Sequence, residues 1–175
     1  MGIVEPHGGP LSGRELTTLL TRARKIGIAR EPARRFDNVE AITTEDAEAL
    51  LQMVIAALEA SPVPKFEWPA VSRVLDDEQL ASLLGISESS LRRYASGERA
   101  TPDAVAARLH HVALIVGDLA GAYNDVGIRR WFDRRRTALD DRAPASLLKG
   151  AWNPDDAGPQ AVRALARSLV TFSAT

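Results

Sequence analysis

The chain has 175 residues, a formal net charge of −1, no cysteine and 45% apolar residues. That length builds one large domain or two small ones around a buried core. The lack of cysteine excludes a disulfide framework, thiol catalysis and cysteine-based zinc sites. Near-zero charge argues against a surface coated in positive charge for indiscriminate nucleic-acid binding, while leaving room for a local basic face. Aromatic residues are only 5%, β-branched runs are short, and Ala, Leu, Arg and Glu abound, so an all-α fold is expected. The longest apolar run, residues 112–116, is too short to cross a bilayer, and no basic-plus-apolar leader opens the chain. A cytoplasmic protein with no membrane partner is expected.

In chain order, residues 1–11 (MGIVEPHGGPL) are rich in Gly and Pro and are expected to be disordered, with His7 solvated. Ser12 and Glu15 make a capping box, and Leu16, Leu19, Leu20, Ala23 and Ile26 form a helical stripe closed by Gly27. Arg30, Arg34 and Arg35, followed by Phe36, Asp37 and Asn38, suggest a short helix or loop. A second helix is expected over 44–60, with Ala47, Leu50, Leu51, Val54, Ile55 and Leu58 inward. Prolines at 62, 64 and 69 then predict an extended linker, its Phe66 and Trp68 either pinned against a core or docking a peptide. Residues 1–61 thus form an N-terminal helical extension, for which dimerisation is the expected role.

Residues 76–102, DDEQLASLLGISESSLRRYASGERATP, carry the most informative pattern. Asp76 is a good N-cap, with Gln79 completing a capping box. Leu80, Leu83 and Leu84 share one face, Ala81 allows close approach of another helix, and Gly85 ends the helix in the left-handed conformation. Ser87 caps a second helix. At 100° per residue, Leu91, Tyr94 and Ala95 turn inward while Ser89, Arg92, Arg93 and Ser96 turn out; Gly97 stops it. Small, turn and apolar residues in this order match a helix-turn-helix, against the plainer alternative of an ordinary helical hairpin.

Thr101-Pro102-Asp103 is a strong helix start. Val105, Leu109, Val112, Val116, Leu119 and Tyr123 continue a stripe for about six turns, to near Gly127. Leu114 and Ile115 lie off it, so this helix is expected to be covered on more than one side, as a central helix or a dimer seam. Adjacent His110 and His111 cannot share a helical face and are expected to be surface or satisfied core histidines. Charge then shifts: residues 112–175 hold 9 basic and 7 acidic groups, against 6 and 7 for 62–111 and 7 and 9 for 1–61. The C-terminal third therefore invites a partner of its own. There Trp131 and Phe132 stand among Arg129, Arg130, Arg134, Arg135 and Arg136, chemistry suited to stacking on single-stranded nucleic acid or, alternatively, an arginine face on a helix anchored by Trp131. A final amphipathic helix is expected over 159–172.

The tail Tyr94-Ala95-Ser96-Gly97-Glu98-Arg99 with Pro102 resembles the phage-repressor-like (Xre) branch of helix-turn-helix proteins. Trp131, Ala138-Leu139, then Ala143-Pro144-Ala145-Ser146-Leu147-Leu148 and Gly150, downstream of such a unit, resemble the C-terminal domain of Xre/MbcA/ParS-type antitoxins of RES–Xre toxin–antitoxin systems. The resemblance covers about residues 70–170. It implies a helix-turn-helix domain over 62–126 with a long following helix and a small helical toxin-binding domain over 127–175. It also implies an antitoxin, without cofactor or metal, that represses its own operon and blocks a NAD-consuming RES-domain toxin. Ser89, Ser90, Arg92, Arg93, Ser96 and Arg99 would face operator double-stranded DNA, as a homodimer. In the toxin-binding part, Trp131, Leu139, Leu147 and Leu148 would hold the domain together, and Arg134, Arg135, Arg136, Lys149 and the following loop, through Trp152 to Asp156, would contact the toxin. A stand-alone Xre-family regulator is the alternative.

An enzyme is not expected. The carboxylate pairs Asp76/Asp77, Asp140/Asp141 and Asp155/Asp156 are sequence neighbours at caps or loops, and no Gly-rich phosphate loop or nucleophile motif is present.

Overall fold

The computed structural model describes residues 60–172 and, before them, residues 48, 49, 52, 53 and 55–57. The chain divides between Ser61 and Pro62. Beyond that point run α1 (Pro64–Val74), α2 (Asp77–Leu84), α3 (Glu88–Ala95), α4 (Asp103–Ala120) and α5 (Asp125–Asp133). A 3-10 turn (Thr137–Leu139), α6 (Pro144–Leu147) and α7 (Ala157–Phe172) follow. The fold is all-α; a bridge between Arg136 and Arg142 is the only β pairing among the described residues. Of the expected helix over 44–60, residues 48, 49, 52, 53 and 55–57 are helical and Ala60 lies in a turn, but Ile55, expected inward, is exposed. The readings made for residues 1–47 lie outside the described residues.

The proline-rich stretch is a helix and not an extended linker. Pro64 stands at the first helical turn, where a missing N–H costs nothing. Pro69, inside the helix, does cost a bond, and core burial of Trp68 and Val71 offsets it. The Trp68 indole N–H donates to Thr101 Oγ1 at 3.0 Å. Phe66, expected against the core beside Trp68, is exposed: two residues apart means one face on a strand but about 200° apart on a helix.

α2 begins as its sequence requires, Asp76 Oδ1 accepting from the Gln79 amide at 2.9 Å. The Gln79 side chain does not close the capping box. It reaches across to donate to the Arg129 carbonyl at 3.0 Å. The helix ends in a Schellman turn, with Ile86 N–H donating to Ala81 O and Gly85 N–H to Ser82 O while Gly85 takes φ 66°. In α3, Ser87 Oγ accepts from the Ser90 amide and Leu91 and Tyr94 are buried. Ala95, expected to join them, is the last residue of the helix and is exposed.

α4 is the central helix, packing against α1 and α7 most extensively and also against α2 and α5. Its buried residues, from Val105 to Leu119, include Ala106, His111 and Ile115 off the main stripe, as a helix covered on several sides requires. Thr101, the expected cap, is engaged by Trp68; Pro102 stands at the N-cap, its carbonyl accepting from Val105 and Ala106 N–H. The helix also stops earlier than its stripe suggests, at Ala120 with Gly121 as cap. Asn124 Oδ1 accepts from the Gly127 amide at 2.8 Å and starts α5 anew. A boundary after residue 126 would therefore cut α5, and one apolar cluster from Trp68 to Ala166 continues through it.

The chain beyond α6 returns to the α2–α3 turn. A Cβ on Gly85 would meet the Gly150 carbonyl oxygen at 2.1 Å. Next to it, the Trp152 indole N–H donates to Leu83 O at 2.8 Å, and Arg108 of α4 donates to Leu84 O at 3.1 Å and Trp152 O at 2.7 Å. These are orphan carbonyls of the last turn of α2, satisfied from elsewhere in the chain, and the cation sits where the helix dipole favours it. His111 closes the node from the other side, its ring 5.5 Å from that of Trp152 and its Nε2 3.1 Å from the Pro159 carbonyl.

Gly85→Ala is expected to lose about 1–2 kcal/mol from the left-handed backbone alone, and more from the overlap with Gly150. Gly97→Ala, with φ 76° but open space around its Cβ, should lose only the backbone part. A urea midpoint lower for Gly85→Ala than for Gly97→Ala is the expected result; equal midpoints would refute the close packing.

Burial holds the His111 pKa below its ordinary value of 6.5. The unfolded chain then binds more protons than the folded one between the two pKa values, so stability is full above about pH 7 and falls as pH drops through 6.5. His111→Gln should flatten the pH dependence of the urea midpoint between about pH 5.5 and 7 relative to the parent protein.

Candidate functional site

Two surfaces result from this packing. The first is the outer face of α3. Buried Leu91 and Tyr94 fix the helix against the core, so Ser89, Arg92, Arg93, Ser96 and Arg99 are all exposed on one hairpin. Ser90 is only half-exposed, its hydroxyl accepting from that of Ser87 at 3.0 Å. The cations are already engaged. Arg92 pairs with Asp77 at 3.1 Å and Glu88 at 2.7 Å, Arg93 with Glu98 at 3.4 Å, and Arg99 lies 5.8 Å from the Tyr94 ring centroid. Exposed pairs of this kind contribute about 0–1 kcal/mol each, so a phosphate or a guanine edge can displace the carboxylates. The face is thus a set of donors held in place by weak internal acceptors.

The second surface lies in the C-terminal third, and here the sequence-predicted set separates. Trp131 and Phe132 are fully buried and meet edge to face at 5.4 Å. They offer no ring for a base to stack on, so the stacking reading gives way to an arginine face on a helix anchored by Trp131. Leu148 and Trp152 also belong to the core, and Leu147 is half-buried against it. These residues, together with Leu139, shape the region from within; contact by Trp131, Leu148 or Trp152 with a partner would require opening the core. Arg134, Arg135 and Lys149 are exposed, and Arg136 is half-exposed with its guanidinium 5.3 Å from the Trp131 ring centroid.

Arg108 escaped the sequence reading, and Arg129 was read only as one of the arginines around Trp131. Arg129 Nη1 donates to Val74 O, the terminal carbonyl of α1, at 2.6 Å, repeating at α1 what Arg108 does at α2. The available signal was a lone arginine inside the apolar run of α4: a cation there must find acceptors. Carboxylates at Asp76, Asp140, Asp155 and Asp156 sit at caps and turns, and among the described residues no group of three His, Asp or Glu side chains is placed to hold a metal ion.

No family model, no curated protein and no solved structure matches this chain.

Trp131→Ala is expected to cost about 3–5 kcal/mol by opening a cavity in the core, whereas Arg134→Ala/Arg135→Ala should stay within about 0.5 kcal/mol per site of the parent. Thermal unfolding of the three proteins checks the assignment of Trp131 to the interior and the arginines to the surface.

Proposed function

We propose that the protein is an operator-binding antitoxin. In this reading a homodimer sets two α3 helices into successive major grooves, where Arg92 and Arg93 read guanine or phosphate while Ser89, Ser90, Ser96 and Arg99 fix the register. The C-terminal arginine face, with Lys149, meets a cognate RES-domain toxin and occludes its NAD cleft, a task that needs no catalytic group. The observation that carries the first half is the exposed Ser/Arg face of α3, mounted on buried Leu91 and Tyr94 and joined to α2 through a left-handed glycine. The second half is supported by Arg134, Arg135 and Lys149 lying exposed on the same unit.

A stand-alone Xre-family regulator is the second reading. It is favoured by the position of Trp131, Leu148 and Trp152 in the same core as the hairpin, which leaves the C-terminal region a purely structural use.

Arg92→Ala/Arg93→Ala is expected to weaken binding to the protein's own promoter at least tenfold in gel shifts at fixed salt, since lost phosphate contacts weaken affinity strongly. Unaltered binding would sink the operator reading. Co-expression with the adjacent reading frame separates antitoxin from regulator: an antitoxin rescues growth and co-purifies with its neighbour, and Arg134→Ala/Arg135→Ala/Lys149→Ala should lose the rescue. Truncation after Lys149 is no substitute, because it removes Trp152 from the core.

A further inference from the structure

The arginines of the chain are not used alike. Those of α3 are neutralised by carboxylates within the hairpin, and Arg142 pairs with Asp140 at 3.2 Å. Arg130, Arg134 and Arg136 have no ion pair among the described residues, and all three line one groove. This cavity of about 470 Å³ lies where α5 begins and where the chain leaves it, and no carboxylate lines it. Its volume is that of a small-molecule site. Tyr123 and the exposed Val126 supply an apolar side.

An independent observation points to a missing acceptor. Two lining residues carry buried N–H donors without a partner, Trp131 Nε1 and Arg136 Nε. Trp131 is 0% exposed, and a buried indole N–H normally finds an acceptor, since leaving one unmade costs about 1–3 kcal/mol. Arg136 lies over the indole, so when its guanidinium turns outward an oxygen of a bound anion can meet Arg136 Nε, while Trp131 stays in the core. Three guanidiniums carry more positive charge than a monoanionic carboxylate balances, and suit a phosphoryl dianion.

We propose that this groove binds the phosphoryl group of a small organic phosphate monoester, with Arg130, Arg134 and Arg136 holding the phosphate and Tyr123 and Val126 covering the organic part. The site is argued without the operator or toxin reading, though it shares Arg134 with the face proposed to meet the toxin. None of the α3 residues Ser89, Arg92 and Arg93 lines it.

The test is isothermal titration of the full-length protein at low salt with phenyl phosphate, inorganic phosphate and benzoate. Saturable binding of phenyl phosphate is expected, tighter than inorganic phosphate and at least tenfold tighter than benzoate. It should weaken at least tenfold in Arg130→Gln/Arg134→Gln, whose exposed positions leave the fold intact, as circular dichroism verifies. Arg92→Gln/Arg93→Gln should bind as the parent does. Three results each overturn the proposal: no binding of phenyl phosphate at millimolar concentration, undiminished binding in Arg130→Gln/Arg134→Gln, or benzoate binding as tightly as the phosphate ester. Binding of a single-stranded oligonucleotide in this groove without binding of phenyl phosphate overturns it as well, in favour of a nucleic-acid surface.

Discussion

The C-terminal end of α2 is the constraint on which the rest of the unit depends. A short helix must leave its last carbonyls unsatisfied, and a buried orphan carbonyl is costly. Here Leu83 O and Leu84 O are met by Trp152 and Arg108, from a loop and a helix far along the chain. The same approach puts the Gly150 backbone against Gly85, where no side chain fits. The hairpin that presents the Ser/Arg face is therefore not a detachable module. Its first helix is finished by Arg108 of α4 and by Trp152 of the C-terminal third. Arg129 plays the matching part at the end of α1, so two of the three helices preceding α4 are closed by arginines from outside the hairpin.

Electrostatics divides the surface in a way that net charge conceals. With a formal charge of −1 the chain is nearly neutral, yet the cations fall into two groups. Arg92 and Arg93 sit in local ion pairs, which lowers the positive potential that the α3 face presents. Arg130, Arg134 and Arg136 stand around a concave space without such partners among the described residues. The first arrangement suits selective exchange at a convex helix. The second suits capture of a small anion in a recess.

Much of the fold was legible because it rests on local rules. Asp76, Gly85, Ser87 and the Leu91/Tyr94 pair do what caps, turns and helical periodicity require, and so does the final helix. The failures share one cause, tertiary contacts overriding local signals. Prolines at 64 and 69 read as linker because the burial of Trp68 is invisible in sequence, and the wrong period then put Phe66 inside. Thr101 looked like a cap until Trp68 claimed its hydroxyl. Apolar spacing carried the α4 stripe through Tyr123 although Asn124 begins a new helix. In the candidate sites, exposed arginines were found by composition and Trp131 and Leu148 as internal supports, whereas Trp152 fell among the contact residues because large apolar side chains mark interfaces and cores alike. Only burial separates the two.

The links at Leu83–Trp152 and Gly85–Gly150 also impose an order on how the chain can mature. Trp68 and Thr101, Glu67 and His110, or Leu84 and Arg108 join segments that leave the ribosome closer together, but Leu83 O at the end of α2 waits for Trp152, which emerges much later. Until Trp152 is free of the exit tunnel, α2 can form its turns and still lack the donor that satisfies Leu83 O, so it frays at the junction with α3. The nascent hairpin can be helical without having its final geometry. A chain interrupted before Trp152 would thus display the same serines and arginines on a surface that has not acquired its shape, and only the finished polypeptide would hold them in register.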